Sequence, residues 1–110
     1  MNNETLVVFC TCPDPHCAES IARTLVEEQL GACVNIIPAI RSVYMWQGRL
    51  ETGDESLIMI KTTQQRYDAL QHRLQSLHPY ELPEIIAVPI TTGLPGYLCW
   101  IGEAVAQHTD

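Results

Sequence analysis

Lysine is nearly missing from this chain: Lys61 is the only one, and 6 basic residues face 13 acidic ones for a formal charge of −7. Affinity for nucleic acid is dominated by phosphate contacts that need clustered Lys and Arg, so that partner class is excluded. The aromatic strand of an RNA-binding module with a similar element order is missing too. No apolar stretch approaches the ~20 residues of a membrane span. The opening MNNETLVVFC has no basic region before its short apolar run, so neither export nor membrane insertion is expected and the chain reads as cytoplasmic.

No Cys-x-x-Cys pair occurs, which removes the common zinc-ribbon, thioredoxin-like and copper-chaperone spacings. The five cysteines, Cys10, Cys12, Cys17, Cys33 and Cys99, are an odd number without a secretory signal, so thiols rather than a disulfide framework are expected. Any metal site must therefore be assembled from distant residues. Gly-rich phosphate loops, nucleophile elbows and His-Glu-x-x-His motifs are also missing, and the few basic residues are too scattered for an oxyanion site. The protein is not expected to be an enzyme.

What the chain does have is apolar surface, 46% of its 110 residues, enough for one domain spanning residues 1–110. Residues Ala32 to Thr63 predict one very long β-hairpin, with arms Ala32–Gln47 and Glu55–Thr63 and a tip at Gly48–Gly53. At about 3.3 Å per residue the first arm would reach roughly 50 Å, whereas a compact chain of this length is only about 34 Å across. The hairpin should overhang its own domain, even after Pro38 bends or bulges the arm. Ile40, Tyr44 and Trp46 alternate with Val43 and Met45, so both faces seek cover, which a neighbouring subunit would supply.

Around the hairpin, Leu6 to Cys12 predicts a buried strand with Cys10 and Cys12 on one face. Asp14-Pro15 starts a helix that Gly31 is placed to stop. Thr63 caps a second helix, ended by His78-Pro79. Glu84–Ile90 predicts the last strand, and about Gly96–Gln107 a third helix before a short polar tail. The order β, α, β, β, α, β, α is a split βαβ arrangement. It implies an α+β, ferredoxin-like antiparallel sheet with helices on one face, a long hairpin and an extra C-terminal helix.

Four ordered motifs now stand out: Tyr44-x-Trp46-x-Gly48-x-x-Glu51, Lys61-Thr62-Thr63, His78-Pro79-Tyr80-x-x-Pro83-Glu84 and Tyr97-Leu98-x-Trp100. Together they resemble the CutA family of divalent-cation tolerance proteins, over nearly the whole chain from Val7 to Ile101. The resemblance implies a PII-like subunit assembled as a homotrimer, with a link to copper and other divalent metals. It also implies metal ligands at Cys10, at the end of the first strand, and at His78, the second of two adjacent histidines. The first of those histidines is Leu77 here, and Cys12, two residues from Cys10, is offered as a replacement third ligand that the family pattern does not itself place there.

Cys10 with His78 suits copper(I) or zinc, while the plainer role of a cysteine in an apolar strand is that of a small buried hydrophobe. Cys12, His16 and Cys17 form a second local group at the start of the first helix, where such residues are mostly solvated. Lys61, Tyr80 and Glu84, beside His78, are expected to meet at one sheet edge. The Lys61 ammonium in an apolar strand calls for a carboxylate, Glu84 or Glu51, in the same or an adjacent subunit. Tyr44, Trp46 and Trp100 are candidates for a stacking platform or for inter-subunit core. The alternative function is a PII-like trimeric sensor that binds a small ligand in an inter-subunit pocket made by these six residues.

Overall fold

A computed structural model describes residues 4–107; the polar tail beyond Gln107 lies outside them. The elements are β1 (Thr5–Cys12), α1 (Pro15–Glu27), β2 (Cys33–Trp46), β3 (Arg49–Thr63), α2 (Gln64–Leu77), β4 (Ile85–Pro89) and α3 (Pro95–Ala104). The strands form one antiparallel sheet in the order β2-β3-β1-β4, the ferredoxin-like arrangement expected of a split βαβ chain.

Period-two patterning builds the core. Val8, Cys10 and Cys12 on β1 share a face with Ile58 and Ile60 on β3, and α1 and α2 cover that face with Ala18, Ile21, Leu25, Leu70 and Leu74. The helix pair is further joined by Arg73, whose guanidinium donates two hydrogen bonds of 2.8 Å to the Glu28 carboxylate. Hydrogen bonding to Arg73 holds the Glu28 carboxyl below its ordinary value. What the pair adds is therefore present at neutral pH and is lost as pH falls through the lowered value.

α1 begins as its sequence dictates, with the Asp14 side chain accepting from Cys17 N–H at 2.8 Å and Pro15 in the first turn. Its end differs from expectation. Gln29, at φ 60°, takes the left-handed position, while Leu30 N–H and Gln29 N–H return to Leu25 O and Val26 O. Gly31 serves a different purpose, because a Cβ there would lie 2.8 Å from Ile60 Cγ2, a stiff, fully buried side chain. Gly31→Ala should therefore lower stability by about 1–3 kcal/mol in denaturant titration, with an unchanged slope.

The hairpin turns earlier than its glycines suggest. Gln47 and Gly48, at φ 51° and 79°, form a two-residue tip of the kind that requires both central residues to be left-handed. Arg49 to Asp54, expected partly as loop, is strand instead, and Gly53 lies inside it. Pro38 acts as anticipated: Ile37 pairs with Leu57 but Ile40 with Glu55, so one extra residue bulges from β2, and Ser56 Oγ donates to Pro38 O at 2.9 Å. The bulge places Ile40, Ser42, Tyr44 and Trp46 on the face of Ile37 and Glu55, away from α1 and α2. The longest dimension is 48 Å against 30 and 22 Å for the others, as an overhanging hairpin demands.

Thr63 occupies the N-cap of α2 without a side-chain capping bond. α3 ends at Ala104, short of the expected Gln107, and lies across the second face of the sheet over Thr5 and Thr63. There Ile101 and Val105 are buried apart from the main core. Elsewhere on that second face Ile37, Ile86 and Val88 are exposed, and Val7, Phe9, Leu57 and Met59 are half-buried.

Candidate functional site

β1 delivers Cys10 and Cys12 to the end of the sheet with no exposed surface, and Pro79 pushes His78 out of α2 into extended backbone beside them. The two sulfurs and an imidazole nitrogen lie within 4.8 Å of one another, the one such convergence of His, Cys, Asp and Glu among the described residues. With metal–sulfur bonds of ~2.3 Å, two thiolates across a linear ion stand about 4.6 Å apart and trigonal donors about 4 Å. The donor set therefore fits a small, soft ion with minor contraction.

The imidazole is already engaged. His78 Nδ1 accepts from Tyr80 N–H at 3.1 Å, which leaves the proton on Nε2 to be donated to Thr11 O at 2.7 Å. Either nitrogen must therefore release a backbone partner before it can ligate. Between the thiols, the hydrogen bond from Cys10 lowers the Cys12 thiol against the effect of burial, with Cys17 assisting. The same bond, with burial and the Glu84 charge, raises Cys10. Cys12 is the thiol that ionises first, while the Cys10 thiol donates to Thr11 O at 3.7 Å. Cys17 reaches Cys12, whereas His16 is exposed to solvent. Leu77, where the family pattern has histidine, packs against the core instead.

A cavity of about 760 Å³ adjoins the cluster on the second face of the sheet. Tyr44, Trp46, Tyr80 and Glu84 line it together with Thr11 and Glu55. Tyr80 Oη donates to Glu55 Oε2 at 2.9 Å, and burial together with Glu55 raises the phenol above its ordinary value. Sequence reasoning missed Glu55, since nothing local announces that a tyrosine 25 positions away will reach it. The one available signal was the Pro38 bulge, which pairs Ile40 with Glu55.

Lys61 and Trp100 do not join this group within one chain. Lys61 pairs with Val7, which pairs with Val88, so Glu84 lies about 13 Å further along the sheet and Glu51 about 33 Å along β3. Ion pairs among the described residues are Arg23–Glu19, Arg41–Asp54 and Arg73–Glu28, and Lys61 is in none of them. Trp100 stacks on Tyr97 at a centroid distance of 5.5 Å on α3.

The architecture is that of the ferredoxin-like α+β class, here with a soft-donor cluster where the first strand ends. Within that class the chain belongs to the CutA1 divalent ion tolerance protein family, whose pattern it matches over residues 6–104. It is similar to the divalent-cation tolerance protein CutA of Thermus thermophilus, at 46% identity over 97 residues, 88% of this chain and 94% of that one. The CutA homolog of Xenopus laevis is 48% identical over 99 residues, 90% of this chain but only 66% of its own length. The crystal structure of CutA from Xylella fastidiosa superposes with a TM-score of 0.90 at 47% identity, covering 93% of this chain and 98% of that one.

Proposed function

We propose that this protein is a homotrimeric divalent-cation tolerance protein that binds copper through Cys10, Cys12 and His78. The observation that carries the metal assignment is the convergence of two buried thiols and an imidazole within 4.8 Å. Thiolate and imidazole donors favour copper(I) over hard cations. Assembly is supported by the overhanging hairpin and by apolar side chains left exposed on both of its faces. An odd set of thiols supports a cytoplasmic home. The protein serves by binding rather than by turnover, as a family named for ion tolerance suggests.

Copper(I) competition against a chromogenic chelator, on reduced protein, tests the site. Cys10→Ser and His78→Ala should each weaken binding, His78→Ala by less because the wild-type ring must first give up a hydrogen bond. Unchanged affinity in both variants would reject the assignment.

A second reading is favoured by the cavity, whose volume falls in the range of small-ligand sites. In it the protein is a PII-like trimeric sensor, with Tyr44, Trp46, Tyr80 and Glu84 from one subunit and Lys61 and Trp100 from a neighbour around an inter-subunit pocket.

A further inference from the structure

We infer that the first turn of α2, together with Arg66, is a binding site for a phosphoryl oxyanion, either inorganic phosphate or the phosphate of a small ester. The site lies at the opposite end of β1 from the thiol cluster and is built within one chain, so it stands apart from both readings above.

α2 runs for 14 residues, and its aligned amide dipoles favour negative charge at its start. Of the N–H groups there, Gln64 donates to Glu4 O at 2.8 Å, whereas Gln65 and Arg66 have no capping oxygen. The residue that would ordinarily cap them is present. Thr63 sits at the N-cap in extended backbone and is only 3% exposed, yet its hydroxyl makes no capping bond, nor any other hydrogen bond among the described residues. A hydroxyl so nearly sealed from water normally has a partner. Thr63 instead lines a narrow cavity of about 120 Å³ with Gln65 and Arg66, walled on the far side by Val105 and Gln107.

Arg66 supplies the charge. It has no ion pair among the described residues, its Nη2 reaches Gln29 O only at 3.3 Å, and its Nε is buried with no partner. A guanidinium held by one long bond can turn its planar fork onto an oxyanion, which accepts donors in pairs. No Asp or Glu lines the cavity or stands in the first turn of α2, and the Glu4 and Glu103 carboxylates belong to neighbouring cavities. The end of α3 carries the opposite dipole, but Ile101 O and Glu103 O are already taken by the N–H groups of Val105 and Ala106. The volume lies well below the ~300 Å³ at which organic-ligand sites begin and leaves room for one phosphate group.

Calorimetric titration of the intact assembly with inorganic phosphate, phenyl phosphate and acetate, at constant ionic strength, tests the inference. Phosphate should bind about tenfold more tightly than acetate, since it brings more charge and more acceptor oxygens to the same donors. Arg66→Gln should weaken phosphate by about tenfold or more, and Thr63→Val, which keeps the shape and removes the hydroxyl, by roughly two- to tenfold. Thr63→Val decides by itself if Arg66→Gln does not fold. Tighter binding of phenyl phosphate than of phosphate assigns the site to a phosphate ester, and the reverse order assigns it to the inorganic ion. Phosphate that binds no better than acetate, or that keeps its affinity in the folded variants, would overturn the site.

Discussion

Sedimentation equilibrium at micromolar concentration should return a mass of about 37 kDa, three times the chain's 12.3 kDa. Val43, Met45 and Leu50 are each more than 60% exposed in a single chain, and Met45 and Leu50 are direct cross-strand partners at the end of the hairpin. A pair of bare apolar side chains on a sheet that extends beyond its own helices is covered most economically by another copy. Each such side chain contributes about 1.5–3 kcal/mol when fully buried. Met45→Asp/Leu50→Asp forfeits both contributions and adds charges that burial would penalise further. The double variant should run as a folded monomer with unchanged far-ultraviolet circular dichroism, since neither residue touches the core. A wild-type chain that stays monomeric, or a double variant that still trimerises, would refute the hairpin as the assembly element.

Copper(I) affinity should fall by about a hundredfold in Cys12→Ser, the largest loss expected from any single ligand change. Replacing the more readily ionised thiol by a hydroxyl removes a soft donor and leaves Cys10, whose thiol is raised by burial and by its neighbours, as the one sulfur of the cluster. Thiolates ligate only after losing their protons, so wild-type affinity should drop as pH falls, by up to about tenfold per unit for each proton released. Chelator competition at several pH values checks both statements. A Cys12→Ser protein with wild-type affinity would return the site to Cys10 and His78 alone.

Much of this architecture was legible in the sequence because it follows from local rules. Period-two alternation put Cys10 and Cys12 on one face, the Pro38 bulge followed from a missing ladder donor, and His78-Pro79 ended α2 by sterics. The hairpin tip was misjudged because Gln47 rather than a second glycine holds one of the two left-handed positions. Gly31 was assigned to helix termination, although its small size answers to Ile60, a residue 29 positions away. Contacts of that kind leave no periodic trace. The same holds for the Tyr80–Glu55 hydrogen bond and for the placement of α3 on the second face, which separates Trp100 from Tyr44 and Trp46. Grouping Lys61 with Glu84 follows from expecting helix ends and strand starts to meet at one edge of the sheet. Register sets their separation along it, and register is invisible until strands are paired.

The two backbone bonds on His78 make the cluster a latch rather than an open claw. Releasing either nitrogen would forgo about 0.5–1.5 kcal/mol, roughly two- to tenfold in any affinity that depends on the ring. Ions that rely mainly on imidazole would meet that threshold in full, whereas those satisfied by the two sulfurs would bypass it. Selectivity between thiophilic and borderline ions would then be set by the resting hydrogen bonds of the empty protein as much as by the donors themselves.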